Sequence, residues 1–403
     1  MNNFDVAIIG AGVAGSFAAY RLAKEHKNLK CVMFDIGRPP AKRRRQLEGF
    51  LGCLPNSDGK LYMSNVDKVV ELVGTRKGKS SLKSTVSIIE KVADFKVTKD
   101  RMPHAATEKK LKKAGFDIQL NDYAQLYPKE IHALSKYLAD SIEIGNNITY
   151  GFDNEVLGIT KQKGQFVITT QTEEFKAKQI IVAVGRSGWR WAHSLYSNFG
   201  IIESNDIARY GIRVEMPSNC LKEFNKSNCT LIKPNDLEIG PLSWFGTVIP
   251  EDHVDMAISA FRSNENRWKT DKVSFSLIGD VPADGEGFQQ TNRIGQLTFV
   301  LANDRVIKEK VSTILNNKSK ISMIKEYDWL SDKINSLSSI IPDLASKAYF
   351  HVPTISPLAP KVNLGDNLES EVSGMFVAGE SAGVTGILAA AMMGLHCADE
   401  ICK

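Results

Sequence analysis

The sequence predicts an α/β chain, with one domain built on a parallel sheet and a β-meander, and a mixed α+β second domain. Three observations predict it. An apolar run, Phe4 to Ile9, passes directly into Gly10-Ala11-Gly12-Val13-Ala14-Gly15 and then into a helix-like stretch from Ser16 to His26. A second apolar run, Cys31 to Phe34, ends in Asp35, 20 residues after Gly15. The 403 residues exceed the roughly 250–300 at which one hydrophobic core stops growing, so two or three structural units are expected.

Each part of the first element has a physical reason. In the helix-like stretch Phe17, Ala18, Tyr20, Leu22 and Ala23 recur between polar positions, which places the glycines at a strand-to-helix turn. Gly10 permits the tight turn, Gly12 lets a pyrophosphate approach the backbone, and Gly15 allows the helix to pack closely on the strand. The helix amino terminus offers unpaired N–H groups and the positive end of its dipole to the phosphates. Asp35, followed by Ile36, stands where a carboxylate accepts hydrogen bonds from the adenosine ribose. The glycine pattern alone is common; strand, turn, helix, strand and acid in this order specify a Rossmann-like dinucleotide site.

Two later stretches extend the pattern. Gln179-Ile-Ile-Val-Ala183-Val184-Gly185 follows the alternating runs Gln165 to Thr169 and Glu174 to Lys178. Near the carboxyl end, Met375-Phe-Val-Ala-Gly379-Glu380 leads through Thr385-Gly386-Ile387 into the helix-like Leu388 to Ala398. These stretches resemble the β-meander, the third conserved stretch and the second FAD fingerprint of the glutathione-reductase-like flavoproteins. The resemblance implies bound FAD, with Ala183, Val184 and Gly185 at the cofactor and Gly379 and Glu380 on its ribityl chain. It also implies that the helix after Gly386 faces the flavin N1–C2=O edge, where negative charge gathers on reduction. There is no second GxGxxG. A separate NAD(P)H domain is therefore not expected, although NAD(P)H can dock at a flavin as a transient electron donor.

A narrower resemblance rests on four segments. They are Ser57-Asp58-Gly59-Lys60-Leu61, Gly211-Ile-Arg213-Val-Glu215, Gly379-Glu380-Ser-Ala-Gly383, and Arg38 with Arg43 to Arg45. Together they are similar to a group of uncharacterised bacterial FAD-dependent dehydrogenases, and the similarity implies cofactor contacts from Arg44, Ser57, Gly59, Thr385, Gly386 and Ile387. The chain departs from the group at Gly49-Phe-Leu-Gly52-Cys53, where a glycine-rich lead is partly lost, and at Thr385-Gly386-Ile387, where the group has Ala-Gly-Gly-Ile. The substrate side of the flavin is therefore expected to differ more than fold or cofactor.

Because both chain ends must meet on one nucleotide, the FAD-binding domain is expected to be discontinuous, from about 1–37, 140–190 and 365–403. Residues 38–139 form a basic, partly helical insert, with Ile131, Leu134, Leu138 and Ile142 on one helical face after Pro128. Residues 191–364 form a substrate or cap domain, with strands around Ile207 to Val214, Trp244 to Ile249 and Val254 to Phe261. Flavin chemistry needs an acid or base within hydrogen-bond reach of the reacting atoms. Lys60 and Asp58, flanking a glycine turn, and His351 are the catalytic candidates; a pyrophosphate or ribityl contact is the plainer role for the turn. Arg213 and Glu215 share a strand face and read as a structural ion pair. Trp189 and Trp191 read as helix packing, with stacking on a planar substrate as the alternative.

Composition sets outer limits. Apolar residues are 43% and charged residues 24%, ordinary for a folded globular chain. The net charge of +5 excludes the whole protein as a polyelectrolyte partner, but residues 38–120 alone hold 19 Lys/Arg against 9 Asp/Glu, leaving −5 elsewhere. The six cysteines show no CxxC or paired ligand spacing, so free thiols and no metal centre are expected. No apolar run approaches the roughly 20 residues that span a bilayer, and a soluble cytoplasmic protein is expected. The leading functional expectation is hydride transfer between flavin N5 and a small, anionic or planar substrate. Two alternatives stand beside it: modification of a base in tRNA or DNA held by the basic insert, and a flavin with a structural rather than redox role. The sequence does not set the oligomeric state.

Overall fold

The computed structural model describes residues 2–43, 46–202, 205–253, 255–262, 269–356 and 361–403. Seven strands form one sheet: β1 (Asn2–Ile9), β2 (Cys31–Asp35), β3 (Ile148–Phe152), β4 (Val156–Gln162), β5 (Gln165–Thr170), β6 (Glu174–Val182) and β7 (Met375–Val377). Their order is β3-β2-β1-β6-β5-β4, with β7 also on β6. Strand β1 pairs in parallel with β2 on one side and β6 on the other, and β2 pairs in parallel with β3. On its edge away from β1, strand β6 serves two partners. Its residues 174–177 pair antiparallel with β5, as the meander expectation requires, and 180–182 pair in parallel with β7. This double use draws the carboxyl end of the chain beside the amino-terminal strands.

Alternation along the strands feeds two cores. Val6, Ile8, Cys31, Met33, Ile181 and Phe376 enter one, and Ala7, Ile9, Val32, Phe34, Ile180, Val182, Met375 and Val377 enter the other. With both faces covered, the strands read as unbroken apolar runs, as buried parallel sheets do. The first face is covered by α1 (Val13–Glu25), α2 (Pro128–Gly145) and α3 (Ile387–Ile401). Helix α2 begins on Pro128, whose missing N–H costs nothing there. Its Glu130 carboxylate accepts the Tyr127 N–H at 2.7 Å, and Ile131, Leu134, Leu138 and Ile142 are all buried. The second face carries the helix Trp189–Phe199 through Ala192, Leu195 and Tyr196.

The chain divides into two units, Met1–Thr98 with Tyr123–Glu203 and Leu358–Lys403, and Lys99–Asp122 with Ser204–Pro357. Of the segment 38–139 set apart by its charge, 38–98 and 123–139 fall in the first unit and 99–122 in the second. Within the first, Lys60–Tyr62, Tyr123–Gln125 and Val97–Thr98 make a small antiparallel sheet.

The second unit is organised by an antiparallel sheet of eight strands centred on Ile207–Pro217 and Lys272–Pro282, paired over their full 11-residue length. The short strand Asp117–Gln119 closes one edge against Thr230–Lys233. A separate hairpin joins Thr247–His253 to Met256–Arg262. The expected strand there starts at Val254, which lies outside the described residues. Among the described residues no helix is long and apolar enough to cross a membrane. All six cysteines are free thiols.

Candidate functional site

The glycine-rich turn lies between β1 and α1, and its three glycines are required for three different reasons. Gly10 has φ +102°, and a Cβ there would lie 2.5 Å from the Ala183 carbonyl oxygen. A Cβ on Gly15 would lie 1.9 Å from the Gly10 carbonyl oxygen, so this position packs the helix onto the turn. Gly12 is different. Its Cβ would come no closer than 3.8 Å to the chain, at Ala183 O, which is ordinary contact. Among the described residues, then, nothing in the packing calls for a glycine at 12. Gly12 is also the N-cap of α1, with no side chain capping the helix. Val13 and Ala14 follow, buried, in the first turn of the helix, where backbone N–H groups have no partner within the helix.

Asp35 closes β2 and ties three backbone segments together. Its Oδ2 accepts the Ala11 N–H at 2.7 Å, and its Oδ1 accepts Gly37 N–H at 2.7 Å and Gly49 N–H at 2.8 Å. An ionised carboxylate offers about four acceptor positions, so one remains for a ribose hydroxyl. Ile36 beside it is exposed. The segment 46–52 is folded around the Arg43 guanidinium, which donates to the carbonyls of Phe50 at 2.6 Å, Gln46 at 2.8 Å and Gly52. Leu51 N–H in turn donates to Ala11 O at 2.8 Å, and Gly52 lies against Gly12. The Arg43 Nε is buried without a hydrogen-bond partner, and burial lowers the pKa of this guanidinium. A half-buried cation, bonded among the described residues to carbonyls, in a loop docked on the glycine turn, suits a nearby diphosphate. Arg44, the arginine singled out from the sequence, lies outside the described residues.

Ser57, Asp58, Gly59 and Lys60 form a tight turn. Ser57 Oγ donates to Leu54 O at 2.9 Å and accepts Gly59 N–H at 3.0 Å, while Asp58 Oδ1 accepts Lys60 N–H at 3.1 Å. Gly59 has φ +68°, and a Cβ there would lie 2.0 Å from Leu126 O. The Lys60 Nζ lies 4.9 Å from the centroid of the Tyr123 ring, a cation–π contact across two paired strands.

The two later fingerprints meet this turn at the carboxyl ends of parallel strands, where open α/β sheets bind ligands. Ala183 N–H donates to Ile9 O at 2.8 Å and Ala378 N–H to Val182 O at 3.0 Å, so Ala183-Val184-Gly185 and Gly379-Glu380 leave the sheet side by side with Gly10. Gly185 N–H donates to Ser381 Oγ at 3.2 Å, and the buried Tyr196 hydroxyl donates to Ser381 O at 3.1 Å. Arg186 Nη2 reaches Glu380 Oε1 at 2.9 Å. Gly386, at φ +105°, is the N-cap of α3, preceded by Thr385 and followed by Ile387, and it too has no side-chain cap. Asn65 packs against it, 2.6 Å from where a Cβ would be. Sequence reasoning missed Ser381, Asn65, Tyr196 and the Arg186–Glu380 pair. Their only signal was adjacency to the fingerprints, and Arg186 and Glu380 are 194 positions apart.

His351 belongs to the second unit, on the strand Tyr349–Ile355, opposite Arg213. Its Nε2 is buried, 3.8 Å from Glu215 Oε2, and burial lowers its pKa. Glu215 is paired with Lys272 at 2.9 Å and Lys308 at 3.4 Å, while Arg213 Nε donates to Ser259 O at 3.3 Å. Trp189 is buried and Trp191 packs against the second core. Glu25, His26 and Asp399 bring ligand-type atoms within 4.8 Å of one another, with Arg21 paired to both carboxylates.

Residues 4–193 match the family model described as pyridine nucleotide-disulphide oxidoreductase. No curated protein matches the chain in sequence. Solved structures are similar in architecture at low identity. Glycine oxidase from Geobacillus kaustophilus covers 100% of this chain and 95% of its own at TM-score 0.43 and 15% identity. Dithionite-reduced L-α-glycerophosphate oxidase from Mycoplasma pneumoniae, with FAD bound, covers 100% and 96% at 0.45 and 14%. A flavoprotein/dehydrogenase from Cytophaga hutchinsonii covers 98% and 75% at 0.41 and 12%.

Proposed function

We propose that this chain is an FAD-dependent oxidoreductase that holds FAD across the carboxyl ends of β1, β6 and β7 and exchanges a hydride with a small anionic or planar substrate. The observation that supports the reading is Gly12, a glycine that the packing of the described residues does not require, set at an uncapped helix terminus near a half-buried, carbonyl-bound arginine. The first turn of α1, from Gly12 to Gly15, would orient the diphosphate, with the half-buried Arg43 as counter-charge. Asp35 accepts a ribose hydroxyl with its remaining lone pair. Ala183 to Gly185, Gly379, Glu380 and Thr385 to Ile387 line the ribityl and flavin end, and Ser57 and Gly59 shape the neighbouring turn. Bound FAD supplies a two-electron donor or acceptor at N5, which no side chain of the chain can provide.

Lys60, at the start of the small sheet of the first unit, and Asp58, in the turn before it, are the proposed proton-handling groups. NAD(P)H is the proposed transient donor, docking without a domain of its own. His351, held among Glu215, Lys272 and Lys308, keeps a structural role in this reading. The test is direct. Purified protein shows a visible flavin absorption band, releases FAD on denaturation, and is bleached anaerobically by one member of a panel of small acids and nicotinamides. A colourless protein that releases no FAD overturns the proposal.

The helix Ala105–Lys113 favours a second reading, because Lys109, Lys110, Lys112 and Lys113 are all exposed on it. Salt-dependent retention on a nucleic-acid column, lost when these four are neutralised, would redirect the substrate to a nucleic-acid base.

A further inference from the structure

We infer that Arg186 is a positioning residue for the cofactor, acting by holding and neutralising the Glu380 carboxylate; the inference rests on the FAD reading above. Arg186 leaves the turn directly after β6, and Glu380 the turn directly after β7, so the pair bridges the two later fingerprints at 2.9 Å. The Glu380 side chain retains 22% of its exposure and Arg186 37%, so the pair is only partly shielded from water. Without a counter-ion, that carboxylate would stand in a half-buried site that must also receive a diphosphate, and like charges at such depth repel strongly. With the guanidinium bound, Glu380 stays fixed as a hydrogen-bond acceptor for a cofactor hydroxyl while its charge is offset.

The same two turns are joined a second time, independently of charge. Ser381 Oγ accepts Gly185 N–H, and Tyr196 holds Ser381 O. The backbone of 379–382 therefore keeps its place when Arg186 is changed, and the electrostatic contribution can be isolated.

The experiment measures FAD affinity, by flavin fluorescence after stripping and titration, and the midpoint potential of the bound flavin, in the full-length protein. The variants are Arg186→Gln, Arg186→Lys and Arg186→Gln/Glu380→Gln, with circular dichroism and melting of each apoprotein as the check on folding. Arg186→Gln weakens FAD about tenfold or more and lowers the potential, because the unpaired carboxylate opposes added electrons. A tenfold preference for the oxidised cofactor corresponds to about 30 mV for a two-electron couple. Arg186→Lys recovers most of both losses. The double variant binds FAD better than Arg186→Gln alone, since no uncompensated carboxylate remains, but stays weaker than the wild type because the Glu380 acceptor is changed as well.

Equal affinity and potential in Arg186→Gln and wild type overturn the inference. So does a double variant no better than the single, which would mean that Arg186 does not act through Glu380. If Arg186→Gln fails to fold, Glu380→Gln alone is the reference for the double variant: equal FAD affinity in the two supports the inference, because Arg186 then has no carboxylate to act on, and a further loss in the double variant overturns it. A wild-type protein that takes up no FAD fails the underlying reading instead, before any variant is compared.

Discussion

At the scale of single residues, Gly10, Gly12 and Gly15 share one motif but answer to different neighbours, and substitution separates them. Gly15→Ala places a methyl 1.9 Å from Gly10 O, so it strains the turn against the helix. It is expected to cost about 3 kcal/mol or more and to lower the apoprotein melting temperature. Gly12→Ala meets nothing of the chain nearer than 3.8 Å. Its apoprotein is expected to melt within a few degrees of wild type while FAD affinity falls by about 100-fold, measured by flavin titration. Equal melting losses in both variants would show that Gly12 is a packing glycine after all. The motif was legible because its physics is local: strand, turn and helix follow one another within 25 residues, and Asp35 ends the next strand. What Asp35 does there was only half legible, since its bonds to Gly37 and Gly49 depend on how the 37–49 segment folds back.

At the scale of elements, α1 and α3 carry the first and last fingerprints and cross through a contact that admits no side chain. A Cβ on Gly394 would lie 2.1 Å from Ala14 O. Gly394→Ala is therefore expected to cost about 2–4 kcal/mol and to weaken FAD as well, because the helices cannot separate without moving both turns. Flavin release should then precede global unfolding in a thermal scan followed by flavin fluorescence and circular dichroism. This crossing had no clear sequence signal, as Gly394 sits inside an apolar helix where a glycine normally only lowers stability.

In the second unit, burial alone would raise the Glu215 carboxyl, but His351, Lys272 and Lys308 together outweigh it and hold it at about 2, below its ordinary 4.5. A depressed folded pKa contributes stability above 4.5 that is lost as pH falls towards 2. His351, itself lowered by burial, acts in the same direction as pH drops below 6.5. Urea titrations between pH 7 and pH 2.5 should show about 3 kcal/mol of acid-dependent loss assignable to Glu215. Glu215→Gln is expected to be weaker at pH 7 and to lack most of that acid limb.

At the scale of the whole molecule, the chain leaves the first unit at residue 99, returns at 123, leaves again at 204 and returns at 358. The third and fourth of these passages bound residues 204–357, which lie inside the 191–364 segment expected from the sequence as the cap, but the 99–122 excursion was not legible, because it is pinned by contacts more than 100 positions away. Its anchor is Asp100, whose carboxylate accepts Arg101 N–H at 2.8 Å, Asn121 N–H at 2.9 Å, Asn228 N–H at 2.7 Å and Ser227 Oγ at 3.3 Å. Asn121 adds bonds from its own amide to Asn228 O at 2.8 Å and Thr230 Oγ1 at 2.9 Å. The excursion also divides the basic segment, with 13 Lys/Arg against 6 Asp/Glu in 38–98 and 6 against 3 in 99–120, so the charge that reads as one block in sequence belongs to two bodies.

Asp100→Ala removes the shared acceptor and strands the N–H groups of Asn121 and Asn228, both nearly buried. Each unsatisfied donor costs about 1–3 kcal/mol. The second unit should lose a few kcal/mol and the 99–122 segment should become sensitive to trypsin at Lys109 to Lys113, while FAD affinity, set within the first unit, stays within about twofold. Loss of FAD in step with the new cleavage would instead mean that the excursion supports the cofactor site, and the division of labour between the two units would have to be redrawn.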